Sequence, residues 1–117
     1  MFEIINTIAM LATIALGLFG WLAPRYTMKK VGLESDETNM GYTEVRAASG
    51  ALFVFAGLGA LLLFHPIAFA TVGCMYLGAS IGRITGILAD KAGTSTAWSF
   101  FTAEAILAIV LIAINLL

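Results

Sequence analysis

Apolar residues fill the chain in four long runs, separated by short polar or Pro-containing breaks. The first run covers about 4–22 and closes at Pro24 and Arg25. A polar stretch, 25–41, follows with Lys29, Lys30, Glu34, Asp36 and Glu37. The second run covers about 42–64 and stops at the His65–Pro66 dipeptide. The third covers about 67–88, and a polar loop, 90–96 with Gly93, leads into the last run at 97–117. Each run is close to the ~20 residues that carry an α-helix across the hydrocarbon core of a bilayer. Membrane strands need only ~9–11 residues and alternate in polarity, and no such alternation is present. A helix satisfies every backbone polar group within its own segment, so helix is the expected state. The pattern predicts an all-α integral membrane four-helix bundle, a single domain over residues 1–117, running up-down-up-down with both termini on the same side.

Composition strengthens this reading. Hydrophobic residues make up 61% of the 117-residue chain and charged residues 11%, whereas soluble domains carry roughly 25% charged residues. So short a chain has no core large enough to hide that apolar surface. The first run has no basic residue before it, and its apolar stretch exceeds the usual 7–15 residues of a leader. It therefore reads as a retained span. The net charge of −1 and the absence of a basic stripe argue against nucleic acid. A single cysteine, Cys74, offers neither an internal disulfide nor a C-x-x-C pair. No metal site and no cofactor are expected.

The distribution of charge orients the chain. With four spans, residues 25–41 and 90–96 fall on one side, and the termini and the His65–Pro66 turn on the other. Arg25, Lys29, Lys30, Arg46, Arg83 and Lys91 all lie on or toward the first side. Basic segments stay cytoplasmic, which predicts a multi-pass protein of a bacterial inner (plasma) membrane with both termini outside, in the periplasm. Trp21, Tyr26, Tyr42 and Trp98 gather at the same helix ends, as an interfacial aromatic belt does.

Four ionisable residues interrupt the apolar runs: Glu44, Arg46, Arg83 and Glu104. A charge at the centre of a membrane helix costs about 2.5–3.5 kcal/mol on insertion scales, so each is a site candidate. At ~1.5 Å per residue, Glu44 and Arg46 sit ~3–6 Å, Arg83 ~8 Å and Glu104 ~10 Å below the cytoplasmic surface. The expectation is one polar cluster in that leaflet, structural or ligand-binding. Arg83 pairs with Glu104 and is joined by Arg46 or Glu44, with Arg46–Glu104 as the alternative pairing and Asp90 at the surface above. Arg46 and Arg83 also have stems long enough to reach the headgroups on their own. Gly78, Gly82 and Gly86 repeat at intervals of four, a small-residue stripe expected to pack a helix of this chain or of a second copy.

Together these motifs resemble a known family. They are the spacing Gly17–Pro24, Glu44-x-Arg46-Ala47 with Gly50, the run Gly78-x-x-x-Gly82-Arg83-x-x-Gly86, Asp90 and the late Glu104. The chain resembles the domain of unknown function 4345 family of small bacterial four-helix membrane proteins. That resemblance implies a four-helix membrane protein over nearly the whole chain, and a polar signature at Glu44, Arg46, Arg83, Asp90 and Glu104. It implies no particular reaction.

Three functions compete. The chain has no nucleophile–base pair, metal cluster or phosphate loop. It is therefore expected to be a non-enzymatic protein that binds membrane lipid or a protein partner, as an accessory subunit of a larger complex or as a homo-oligomer. The alternative is a small proton-coupled transporter using Glu104. Small multidrug transporters depend on a carboxylate inside the first helix, where this chain has only Glu3 at the edge. The second alternative is an intramembrane enzyme holding an anionic substrate in the Arg/Glu cluster.

Overall fold

The computed structural model describes residues 2–117, and the described residues are helical with no strand. Five helices follow one another: α1 (Glu3–Leu22), α2 (Pro24–Val31), α3 (Met40–Leu63), α4 (Pro66–Ala89) and α5 (Ser95–Leu116). All but α2 are long and apolar enough to cross a membrane, with 20 to 24 residues and mean hydropathy of 1.4 to 2.1. At ~1.5 Å per residue these lengths give about 30–36 Å, which matches a hydrocarbon core of ~30 Å. The side chains they leave outside are oily: Leu62 is 86%, Leu88 73% and Ile109 67% exposed.

The helix ends follow from identifiable residues. Pro24 opens α2 and Pro66 opens α4, each at a position whose N–H needs no partner. His65 caps α4, its Nδ1 accepting the Ile67 N–H at 3.2 Å, and Thr94 caps α5 by accepting the Ala97 N–H at 3.1 Å. α2 lies at the start of the polar stretch 25–41. Its residues 24–31 wind up because Pro24 presets the first turn and Pro24 and Met28, four apart, share a buried face. Lys29 and Lys30 in its last turn complement the helix dipole. Gly32, at φ 77°, then ends it in the left-handed conformation glycine adopts without penalty.

The chain divides into two compact units. In Thr7–Leu62, α1 and α3 run antiparallel and touch backbone to backbone through glycines. A Cβ on Gly17 would lie 2.7 Å from the Gly50 carbonyl oxygen, and one on Gly50 would lie 2.6 Å from Trp21 Cα. Small residues are what permit such an approach between membrane helices. α3 widens into a π-helical turn at Ala47–Ala51, directly at this contact. In the other unit, 2–6 with Leu63–Leu117, α4 and α5 run antiparallel. Gly73 seats Leu111 and Ile112, and Phe69 is fully buried with the Phe64 ring edge-on at 5.3 Å.

The Gly78–Gly82–Gly86 stripe takes no part in this packing. A Cβ on Gly78 or Gly82 meets no described atom within 4 Å, and one on Gly86 meets only the neighbouring Asp90 carboxylate, at 3.8 Å. The reason is rotation about the helix axis. At ~100° per residue, Phe69, Tyr76, Ser80 and Ile87 form the buried face of α4, and Gly78 and Gly82 fall on the other side. Close approach occurs instead at Gly17, Gly20, Gly50, Gly57 and Gly73.

Candidate functional site

Arg83 and Glu104 face each other across α4 and α5. Arg83 lies three residues after Ser80 and four before Ile87, so it shares the buried face of α4. The guanidinium donates twice to the carboxylate, Nε to Oε1 at 2.7 Å and Nη2 to Oε2 at 3.0 Å. This is the parallel, two-bond geometry that makes Arg–carboxylate pairs both strong and directional. Phe100, one turn before Glu104, lays its ring 5.1 Å from Arg83 Cζ, within the range of a cation–π contact. The side chains are 35% and 15% exposed, so the pair is neutralised at the edge of the α4–α5 interface. Both carboxylate oxygens are engaged by a single guanidinium. Among the described residues no three His, Cys, Asp or Glu side chains assemble as metal ligands.

The other three residues of the expected cluster are exposed. Glu44 and Arg46 belong to the Thr7–Leu62 unit, and both are exposed. Arg46 Nη1 donates to the Trp21 carbonyl at 2.7 Å, supplying a positive partner to the C-terminal end of α1. Asp90 is exposed at the C-terminal cap of α4. Within the Leu63–Leu117 unit, the facing of α4 and α5 brings Arg83 and Glu104 together.

The family described as Domain of unknown function (DUF4345) matches residues 1–115. The chain belongs to the DUF4345 family. Among curated proteins nothing matches it, and no solved structure does. In this DUF4345 chain, Arg83 and Glu104 form an ion pair.

A second polar contact escaped the sequence reading. Asn6 and Asn115 exchange side-chain amide bonds, Asn6 Nδ2 to Asn115 Oδ1 at 2.9 Å and Asn115 Nδ2 to Asn6 Oδ1 at 2.8 Å. Asn115 Nδ2 also reaches the Leu111 carbonyl at 2.8 Å. This sets the first turn of α1 beside the last turn of α5. A signal existed: two of the three asparagines in the sequence fall inside apolar runs, where an unsatisfied amide is costly.

Proposed function

We propose that this DUF4345 protein is a non-enzymatic, four-span protein of a bacterial inner membrane that binds a protein partner or lipid, as an accessory subunit of a membrane complex. The spans run up-down-up-down as a bundle with both termini outside, an arrangement supported by the one-sided basic residues and by the Asn6–Asn115 contact. The reading is carried by the bidentate Arg83–Glu104 pair. Within the bilayer it acts as a clasp between the third and fourth spans. A proton has to displace the guanidinium before it can bind Glu104, and an anionic substrate has to displace the Glu104 carboxylate before it can bind Arg83. Recognition then falls to the outward apolar faces and the short connections.

Purification in mild detergent followed by native mass spectrometry tests this. A stoichiometric protein or lipid partner is the expected result. Proton uptake into liposomes that disappears with Glu104→Gln would instead assign the chain to proton-coupled transport.

A further inference from the structure

The connection between α1 and α3 carries the densest basic chemistry of the chain. Arg25 and Lys29 are four apart on α2, each following a buried residue, Pro24 or Met28, and both are exposed, so they project side by side. Gly32 at φ 77° turns the chain back, and residues Glu34 and Ser35 become a wall facing them. Tyr42, from the first turns of α3, closes the far end. Together Arg25, Lys29, Gly32, Glu34, Ser35 and Tyr42 line a cleft of about 500 Å³, inside the ~300–1,000 Å³ range of small-ligand sites.

The cleft is equipped for an oxyanion. Arg25 Cζ stands 4.3 Å from the centre of the Tyr42 ring. The ring holds the guanidinium by a cation–π contact, and the guanidinium keeps N–H groups for two-point binding of a phosphate. Lys29 adds a compact point charge one turn away. The Ser35 hydroxyl accepts the Gly41 N–H at 3.1 Å, which leaves its own O–H to donate. Two cations against the single carboxylate of Glu34 leave the lining net positive. α2 begins two residues after α1 ends, which puts the cleft at headgroup level, on the side where basic residues meet anionic lipid.

We propose that this cleft binds a phosphate group, supplied by the headgroup of an anionic phospholipid. The inference rests on the membrane placement given above. It is tested with the full chain in mild detergent by native mass spectrometry, titrating phosphatidylglycerol, phosphatidylcholine or inorganic phosphate. The wild type is expected to retain one phosphatidylglycerol at roughly tenfold lower concentration than phosphatidylcholine. Arg25→Gln with Lys29→Gln removes that preference, while Lys91→Gln, on the exposed 90–96 connection, keeps it. If the double variant does not accumulate, Arg25→Lys carries the test, because it keeps the charge, loses the planar fork and is expected to lose part of the preference. Equal retention of the two lipids, or an unchanged preference in the double variant, overturns the proposal. Inorganic phosphate binding without phosphatidylglycerol binding overturns its lipid source. Alkaline carbonate extraction of cell membranes separates the two levels. A chain that stays in the membrane but shows no lipid preference ends this inference alone, and one released from the membrane ends the placement beneath it.

Discussion

Replacing Glu104 with leucine strands Arg83. The lost contact comprises two charge-assisted bonds, 2.7 and 3.0 Å long, between side chains that are 35% and 15% exposed. An exposed ion pair contributes only about 0.2–1 kcal/mol, and breaking a fully buried one costs about 3–5 kcal/mol. This pair lies between those limits. Arg83 can still turn part of its guanidinium outward along its flexible stem, so Glu104→Leu is expected to cost about 2 kcal/mol. Arg83→Leu leaves the shorter and more buried carboxylate alone and is expected to cost about 3 kcal/mol. Removing both charges leaves no stranded ion, and the double variant should lose no more than about 2 kcal/mol, which implies a coupling of about 3 kcal/mol. Equilibrium unfolding of the four proteins in mixed micelles, followed by helical content, measures the cycle. Additive single effects, with coupling below about 0.5 kcal/mol, would refute the clasp, because two groups that do not interact have no energy to restore.

Other expectations follow from the same geometry. Gly20→Ala and Gly50→Ala push a methyl into opposing backbone, 2.7 Å from Ser49 C and 2.6 Å from Trp21 Cα, and should each lower stability by about 1–3 kcal/mol. Gly78→Ala and Gly82→Ala meet no described atom within 4 Å and should raise it by about 0.5–1 kcal/mol through helix propensity; destabilisation on the same unfolding scale would mean that another molecule packs there. Asn115→Ala leaves the Asn6 amide without its partner and should cost about 1–3 kcal/mol, read as earlier unfolding of the chain ends by hydrogen exchange. The Asp36 carboxylate accepts from the Thr38 side chain at 2.6 Å and the Thr38 N–H at 3.0 Å, bonds that lower its pKa below the ordinary range. Its contribution to loop order is therefore complete above the unfolded value of about 3.9 and lost as pH falls through the lower folded value. An NMR titration should show Thr38→Ala moving the Asp36 midpoint upward.

What sequence alone determined here is what depends on neighbours along the chain. Length and polarity of the four runs, Pro24, the His65–Pro66 stop and Gly93 state where spans begin and end, because a helix closes its own hydrogen bonds and needs only the local code. Pairing Arg83 with Glu104 was also legible, since an antiparallel step from α4 to α5 brings these two positions to one depth. Helix rotation was not. In an almost wholly apolar span the hydrophobic pattern no longer separates inside from outside, so nothing in the sequence told the open Gly78 and Gly82 from the closely packed Gly20 and Gly50. Tertiary structure turns Arg46 to the Trp21 carbonyl. It also joins Asn6 to Asn115 across 109 residues of chain. Which face of each helix meets which neighbour is set by close packing and by the demand that every buried polar group find a partner, and both act only once the helices are assembled.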